Sequence, residues 1–208
     1  MAPSEEKELI AKGAEAEIWK TSWRGRDAVV KKRVRKGYRH PELDSRIQKE
    51  RIRSEARLMR GARKAGVPVP IIYDLREEEW TMILQYFHGE RAIDAIEEGL
   101  DIDLEQIGRY VGKLHSHGIT HGDLTTSNIL YNEKEKSYCF IDFSLGKKAS
   151  SVEDMGVDLH LMKEALVSVH EEPLKKFDKI IAGYKQEFDG SSAVIDKVKD
   201  IEERGRYR

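Results

Sequence analysis

The stretch that decides the fold reads His121-Gly122-Asp123-Leu124-Thr125-Thr126-Ser127-Asn128, and a second run, Ile141-Asp142-Phe143-Ser144, follows it. Asp123 and Asn128 lie in a loop that follows a predicted helix, and Asp142 ends a short apolar strand. A hairpin predicted between the two runs brings Asp142 back beside the loop. Each of these residues alone is more typical of an ordinary turn or helix cap. All three in this order favour a shared site.

These residue types suit the transfer of a phosphoryl group. The reaction needs magnesium to neutralise phosphate charge, and magnesium prefers hard oxygen ligands such as those of Asn128 and Asp142. It also needs a carboxylate beside the acceptor hydroxyl, a position that Asp123 can take. The sequence therefore predicts Asp123 as a catalytic base and Asn128 and Asp142 as magnesium ligands.

The first half of the chain is rich in predicted strands. Alternating apolar and polar residues, with turn signals between them, predict three strands, then a long charged helix, then a hairpin around an acidic turn. Gly66 is expected to end the helix. The predicted ranges are strands near 8–12, 16–23 and 27–34, a helix at 42–65, and two strands on either side of 76–79.

The second half is predicted to be mainly helical. Asp103 is placed to cap a helix and Gly118 lies just past its end. The predicted elements are helices at 91–98 and 103–117, strands at 129–131 and 138–141, and mostly helix from about 153. We therefore expect an α+β fold of one domain, residues 1–208, with a β-rich N-lobe (about 1–87), a hinge (about 85–90) and a helical C-lobe (about 91–208).

Composition sets few limits on partners. Charged residues make up 36% of the chain, but the net charge is only -1, so nothing in the total demands nucleic acid or a membrane. No apolar run is long enough to span a bilayer, and the first residues lack a signal-peptide core, so a soluble, cytoplasmic protein is expected. Cys139 is the single cysteine, and a buried thiol is the expected state.

The two deciding runs resemble the catalytic loop and the metal-binding tripeptide of protein kinases. Gly122 replaces the usual arginine and Ser144 replaces the usual final glycine. The His-Gly-Asp form is similar to that of atypical kinases and of aminoglycoside and choline phosphotransferases. The resemblance implies ATP and Mg2+ as cofactors, and the glycine implies that no phosphorylated activation loop controls the site.

Upstream segments resemble the nucleotide-binding parts of the same fold. Residues 10–18 take the place of the glycine-rich loop, although they keep one glycine of the usual three. The residues implied to contact nucleotide there are Ile10, Gly13, Ala14, Glu15, Ala16 and Ile18. In the hinge, Leu84 is the implied gatekeeper, and the backbones of Gln85 and Phe87 are implied to meet the adenine.

Residues 28–32 resemble the strand whose lysine grips the ATP phosphates. Strand alternation leaves Lys31 and Lys32 as alternatives, and the match to the family's Val-Ala-Ile-Lys selects Lys31. The acid that pairs with this lysine is implied to be Glu55 on the first helix, with Glu50 as the competing choice.

A narrower resemblance covers the chain from about residue 9 to the end. The chain is similar to the small kinase subunit of the KEOPS complex in the runs 12–16, 31–33, 36–44, 55–57, 121–128, 142–146 and 204–206. This family is an atypical Ser/Thr kinase and ATPase. The resemblance implies that the protein supports the formation of N6-threonylcarbamoyladenosine on tRNA. It also implies a threonylcarbamoyl-transferase subunit and other KEOPS subunits as partners.

Three further expectations concern the surroundings of the site. Few residues separate Asp142 from the helix predicted near 153, so the activation segment is expected to be short. Asp158 is either an acid that braces the catalytic loop or an exposed helix residue. The basic segments 31–39 and 204–208 are candidates to contact tRNA phosphates or a partner, and the partner is preferred for the tail.

Two other functions remain open from the sequence. A small-molecule phosphotransferase shares His-Gly-Asp and the following asparagine, although such enzymes usually carry a larger helical insert. A binding module without catalysis is disfavoured by the intact set of Lys31, Asp123, Asn128 and Asp142.

Overall fold

A computed structural model of the protein describes residues 7–169 and 172–206. The side chains of Val169 and Arg206 are not described. The contacts of the chain group it into two compact units. The first unit contains the described residues up to Arg57 together with Pro70–Phe87, and the second contains Leu58–Val69 and the described residues from His88 onward.

The first unit is built on a five-stranded antiparallel sheet with the strand order β1-β2-β3-β5-β4. Each strand lies within about two residues of its predicted range. The strands are β1 (Glu8–Lys12), β2 (Ala16–Trp23), β3 (Arg26–Arg33), β4 (Ile72–Arg76) and β5 (Thr81–Gln85).

The two faces of this sheet differ in character, because successive side chains of a strand point to opposite faces. One face carries an apolar core of Trp23, Ala28, Val30 and Ile83, against which Trp19 and Tyr73 pack. On β3, Lys31 and Arg33 alternate with these core residues and therefore lie on the other face. There they contact α1 (Pro41–Lys64) through Glu55.

Helix α1 ends as the sequence predicts. Gly66 has a φ of +79°, a left-handed conformation that glycine adopts without the steric cost of a Cβ. The N–H of Val67 donates to the carbonyl of Ala62 at 3.0 Å, and that of Gly66 donates to Arg63 at 3.0 Å. These two bonds satisfy carbonyls that the end of a helix would otherwise leave unpaired.

The described residues of the second unit form five further α-helices and two small sheets. The helices are α2 (Ala92–Glu97), α3 (Leu104–Ser116), α4 (Val152–Val169), α5 (Pro173–Glu187) and α6 (Ser191–Arg206). One sheet pairs β6 (Glu90–Arg91), β8 (Ile129–Asn132) and β9 (Ser137–Phe140), and the other pairs β7 (Ile119–Thr120) with β10 (Lys147–Lys148). Asp103 caps α3 by accepting from the N–H of Gln106 at 2.9 Å.

Sequence patterns missed the three shortest strands, β6, β7 and β10. Each has two residues, too few for an alternation of apolar and polar side chains to be recognised. Cys139 lies in β9 and is buried as expected, and burial raises the pKa of its thiol to about 12.

Helices α3 and α5 pack through glycines. A Cβ built on Gly108 would lie 1.9 Å from the carbonyl oxygen of Ile180, and one built on Gly183 would lie 1.9 Å from that of Glu105. Both obstacles are backbone atoms, which cannot move aside as a flexible side chain can. The spacing of the two helices therefore depends on the absence of side chains at these positions.

Replacing Gly183 by alanine tests this packing. The added methyl group must push the helices apart, so Gly183→Ala should lower the free energy of unfolding by about 2 kcal/mol or more. Urea denaturation followed by circular dichroism measures the loss. Gly205→Ala is the matched control, because a Cβ at Gly205 on α6 would meet no atom within 4 Å. Equal stability of the two variants would contradict the packing argument.

Candidate active site

The predicted catalytic loop, residues 121–128, is held in place by one carboxylate. Asp158 on α4 accepts from the backbone N–H of His121 at 2.6 Å and from that of Gly122 at 2.8 Å. Asp158 is almost completely buried. Of the two interpretations drawn from the sequence, the geometry agrees with the acid that braces the loop and not with an exposed helix residue.

Asp158 is itself positioned by two buried side chains. Its Oδ2 lies 3.3 Å from Nε2 of His115, whose Nδ1 lies 2.9 Å from the hydroxyl of Tyr184. His115 belongs to α3 and Tyr184 to α5. Three helices thus converge on the carboxylate that orients the loop, and a buried group with satisfied hydrogen bonds has little freedom to move.

His121 joins the loop to the end of the β8–β9 hairpin. Its Nε2 lies 2.9 Å from the carbonyl oxygen of Ile141, and its Nδ1 accepts from the N–H of Asp123 at 3.4 Å. These contacts fit a neutral ring that carries its proton on Nε2. Complete burial lowers the pKa of His121, although the nearby carboxylate of Asp158 acts in the opposite direction.

Asp123 and Asn128 contact each other directly. The amide Nδ2 of Asn128 donates to the backbone oxygen of Asp123 at 2.8 Å and to its Oδ2 at 2.9 Å. Both residues are partly exposed. Because the amide nitrogen faces Asp123, the Oδ1 of Asn128 points away and remains available as an oxygen ligand.

Asp142 is brought to the same place by the hairpin. The N–H of Ile141 donates to the carbonyl of Asn128 at 3.0 Å, which joins the two deciding runs through their backbones. Asp142 has a φ of +62°, an uncommon conformation for a residue with a side chain, and its Oδ1 accepts from the N–H of Ser144 at 3.2 Å. Backbone strain of this kind is concentrated at functional sites.

The oxygen atoms of Asn128 and Asp142 suit magnesium better than they suit a metal ion whose ligands all come from the protein. Among the described residues no cluster of three or more His, Cys, Asp or Glu side chains could hold a metal ion. Asn128 and Asp142 offer two hard oxygen ligands. Magnesium usually retains waters and binds substrate phosphates with only one or two protein ligands, so this pair suffices.

Gly122 is required by the chain that follows Asp142. Its φ is +82°, and a Cβ there would lie 2.1 Å from the carbonyl oxygen of Leu145. Residues 147–148 then pair with β7, directly before the catalytic loop. The segment between Asp142 and the start of α4 at Val152 is therefore short, as predicted, and it covers the position that a longer side chain at residue 122 would need.

In the first unit, Lys31 lies against Glu55. The Nζ of Lys31 is 2.5 Å from Oε1 of Glu55, and both side chains are buried. Lys32 and Glu50, the competing choices, are both exposed. Arg33 adds a contact that sequence reasoning missed, since its Nη2 donates to Oε2 of Glu55 at 2.8 Å. Its position two residues after Lys31, on the same face of a strand, was the signal that could have revealed it.

The turn between β1 and β2 contains the other predicted nucleotide contacts of this unit. Gly13, Ala14 and Glu15 are exposed, and the N–H of Gly13 is already used by the carbonyl of Ala16 at 2.9 Å. The φ of Gly13 is not in the left-handed region, and a Cβ there would make only ordinary contact with Ala16. Ile10 and Ile18 flank the turn on the two paired strands.

Glu15 is the most strongly engaged residue of that turn. Its carboxylate lies 3.0 Å from Nζ of Lys36, 2.7 Å from Nη1 of Arg51 and 3.9 Å from Nη1 of Arg33. Partial burial raises the pKa of Glu15, but the hydrogen bond from Lys36 and the charges of the three cations outweigh it and hold the pKa below its ordinary value.

The predicted hinge begins at Gln85, the last residue of β5. The N–H of Gln85 donates to the carbonyl of Ile71 at 2.8 Å, so this donor serves the sheet. Within the described residues no hydrogen bond uses the backbone N–H of Phe87. Phe87 therefore offers the freer backbone donor of the two.

Most of the basic segment 31–39 is neutralised within the protein. Lys31, Arg33, Lys36 and Arg39 pair with Glu55, Glu15 or Asp44. Lys32 and Arg35 are exposed and make no ion pair with a described residue. In the basic tail, Arg204 pairs with Glu153 at 2.7 Å, whereas Tyr207 and Arg208 lie outside the described residues.

No helix within 7–169 and 172–206 has both the length and the apolar character that crossing a membrane requires.

Known proteins similar to this chain agree with its geometry. Residues 12–184 match the lipopolysaccharide kinase (Kdo/WaaP) family. A solved structure described as WaaP in complex with acyl carrier protein has a TM-score of 0.62 at 13% identity, covering 95% of this chain and 88% of that chain. This likeness concerns the fold alone, and it confirms the kinase-like α+β fold predicted from the sequence.

Curated relatives are more similar in sequence. The KEOPS complex subunit Bud32 of Pyrococcus abyssi is 38% identical over 214 residues, an alignment that covers 96% of each chain. Probable bifunctional tRNA threonylcarbamoyladenosine biosynthesis proteins of Methanosarcina mazei and Methanocaldococcus jannaschii are 45% and 41% identical over 204 and 203 residues. The chain spans 36% and 37% of the length of these two relatives. The chain therefore belongs to the kinase-like Kdo/WaaP family and, by its similarity along the whole chain, to the family of the KEOPS subunit Bud32.

Proposed function

We propose that this protein transfers the terminal phosphoryl group of ATP to water or to a Ser/Thr hydroxyl, and that it does so in support of threonylcarbamoyladenosine formation on tRNA. The observation that carries the chemical part is the joined geometry of Asp123, Asn128 and Asp142 on a loop braced by Asp158. The chain is similar to the KEOPS subunit Bud32 of Pyrococcus abyssi over 96% of each chain, and this similarity supports the role in tRNA modification.

In this mechanism Asp123 orients the acceptor. Its carboxylate receives the hydrogen bond of a hydroxyl or a water molecule and accepts its proton as the new bond to phosphorus forms. The hydrogen bond from Asn128 to Oδ2 of Asp123 fixes the carboxylate in one rotamer, so the other oxygen is presented to the acceptor. Positioning of this kind is the main contribution that a protein makes to phosphoryl transfer.

Asn128 and Asp142 are proposed to hold magnesium, which when bound neutralises charge on the phosphates and draws electron density from the bond that breaks. The left-handed backbone of Asp142 and the hydrogen bond that its Oδ1 accepts from the N–H of Ser144 restrict the position of its carboxylate. Lys31 is proposed to bind the phosphates, held by Glu55. Ile10, Ala14, Ala16 and Ile18 are proposed to line the nucleotide site, and Gln85 and Phe87 to meet the adenine.

The assembly is proposed by similarity to the KEOPS subunit. We propose that the partners are a threonylcarbamoyl-transferase subunit and other KEOPS subunits. We propose that Lys32 and Arg35, which are exposed, are the residues of segment 31–39 that could reach tRNA phosphates. The other basic residues of this segment are paired with acids of the protein. We also propose that the C-terminal tail, residues 204–208, contacts a partner subunit.

A first prediction concerns the carboxylates. Asp123→Ala removes the base and Asp142→Ala removes a metal ligand, so each variant should lower ATP turnover about 100-fold or more while the protein stays folded. Turnover is measured as release of inorganic phosphate, with and without the transferase partner and tRNA. Asp178→Ala is the control, because Asp178 is an exposed carboxylate on α5 and far along the chain from either run.

The same assay decides between functions. Turnover that rises with the transferase partner and tRNA supports the tRNA-modifying role. Turnover that rises only with a sugar or another small alcohol would point to a small-molecule phosphotransferase. Full turnover in either carboxylate variant would rule out the role given to that residue.

A second prediction separates the two lysines. Lys31→Ala should raise the KM for ATP about tenfold or more, since it deletes a charge-assisted contact to phosphate. Lys32→Ala should leave the KM nearly unchanged, because its side chain lies on the opposite face of β3. Initial rates over a range of ATP concentrations give both values. Equal increases in the two variants would remove Lys31 from its assigned role.

A further inference from the structure

The turn that joins β1 to β2 has two backbone N–H groups without an acceptor among the described residues. They belong to Ala14 and Glu15, which are both exposed. The N–H of Gly13, in contrast, donates to the carbonyl of Ala16 within the turn. Adjacent N–H groups that are not otherwise bonded can bind an anion such as a phosphate group. The tip of this turn is therefore a place where phosphate can be held.

Side chains from outside the turn hold it in place. Nζ of Lys36 donates to the carbonyl of Ala14 at 2.5 Å and lies 3.0 Å from Oε1 of Glu15. The other carboxylate oxygen of Glu15, Oε2, accepts from Nη1 of Arg51 at 2.7 Å. The backbone carbonyl of Glu15 accepts from the N–H of Val34 at 3.1 Å. The turn is thus tied to α1 through Arg51 and to the segment after β3 through Lys36 and Val34.

A glutamate beside a phosphate site is electrostatically unfavourable, because its negative charge repels the phosphate. Here the charge of Glu15 is offset within the unit. Lys36 and Arg51 each form an ion pair with Glu15 and with no other acid that the structure describes. Ion pairs as exposed as these contribute little to the free energy of folding. Their effect is therefore expected in the conformation of the turn and not in the stability of the protein.

We propose that Glu15 is a positioning residue for the phosphates of ATP. Through Arg51 and Lys36 it holds the turn in the conformation in which the N–H groups of Ala14 and Glu15 bind phosphate. A turn that is already ordered loses less conformational entropy when a ligand binds, so its affinity for phosphate is higher. The carboxylate acts without touching the ligand. This inference rests on the proposed function and assigns the Glu15 side chain to the ordering of the turn, not to contact with the nucleotide.

Neutralisation of Glu15 has opposite consequences under the two interpretations of its carboxylate. If the carboxylate acts on ATP only by its charge, its removal ends a repulsion and strengthens binding. If it holds the turn, its removal weakens binding, and only for ligands that carry phosphates. The sign of the change in affinity and its dependence on phosphate therefore separate the two interpretations.

The first test compares Glu15→Gln with Glu42→Gln. Glu42 is an exposed glutamate in the first turn of α1 and forms no ion pair with a described residue. Isothermal titration calorimetry gives the Kd of a non-hydrolysable ATP analogue with magnesium, and that of adenosine, which lacks phosphates. Glu15→Gln should raise the Kd of the analogue about fivefold and leave that of adenosine unchanged, whereas Glu42→Gln should change neither. An unchanged or lower Kd of the analogue in Glu15→Gln, or an equal loss for adenosine, would overturn the inference.

Arg51→Met tests the same contact from the side of α1. The described hydrogen bonds and ion pairs of the Arg51 side chain are all with Glu15, so this variant should raise the Kd of the analogue by a similar factor. Arg46→Met is the matched control, because Arg46 is exposed on the same helix and forms no ion pair with a described residue. In the double variant of Glu15→Gln and Arg51→Met, the second change should add little, since both remove one contact. Multiplication of the two effects would mean that Arg51 binds phosphate directly and would overturn the inference.

Folding and the proposed function are checked separately. Circular dichroism during thermal unfolding shows whether each variant is folded. If Glu15→Gln is unfolded, Arg51→Met is compared with Arg46→Met alone, and equal Kd values in these two variants would overturn the inference. A native protein that binds no ATP analogue would overturn the proposed function and this inference together. Loss of turnover in Asp123→Ala with an unchanged Kd in Glu15→Gln would overturn the inference alone.

Discussion

The loop at residues 121–128 depends on the two hydrogen bonds that the carboxylate of Asp158 receives from the backbone of His121 and Gly122. These bonds fix the backbone at the start of the loop that carries Asp123 and Asn128. Within the loop, the side chain of Asn128 donates to the carboxylate of Asp123, and the backbone carbonyl of Asn128 accepts from the N–H of Ile141. A single buried acid on α4 thereby orders a chain of contacts that ends at Asp142. His115 on α3 contacts this acid and is itself hydrogen-bonded to Tyr184 on α5, so the position of the loop is tied to the packed helices.

Gly122 shows how a departure from the protein-kinase pattern is built into the fold. The position that holds arginine in ordinary kinases is here in contact with the backbone of Leu145, 2.1 Å from where a Cβ would stand. A short segment after Asp142 can lie against the loop only because residue 122 has no side chain. The absence of an arginine at residue 122 and the short segment between Asp142 and α4 therefore depend on each other sterically. The strand pair β7–β10 then fixes this arrangement with backbone hydrogen bonds.

The sequence predicted what depends on local patterns or on motifs of fixed spacing. The five strands of the first sheet, the long helix with its stop at Gly66, the capped helix after Asp103 and the hairpin that returns Asp142 all follow from periodicity and turn chemistry. What it missed depends on contacts between distant parts of the chain. His115 and Tyr184 lie on helices whose pairing no local pattern encodes, and Arg33 looked like one more charge in a basic run. Its burial comes from Glu55, 22 residues away.

Cys139 gives the chain an internal reporter. It is the single cysteine, it lies in the strand that leads to Asp142, and its pKa of about 12 leaves almost no thiolate at neutral pH. A thiol reagent can therefore react only when the hairpin opens, since the thiolate is the nucleophile. The rate of labelling would measure local opening beside the site without any added probe. Ligands that tighten this hairpin would slow the modification, so binding could be followed by mass spectrometry on the unaltered protein.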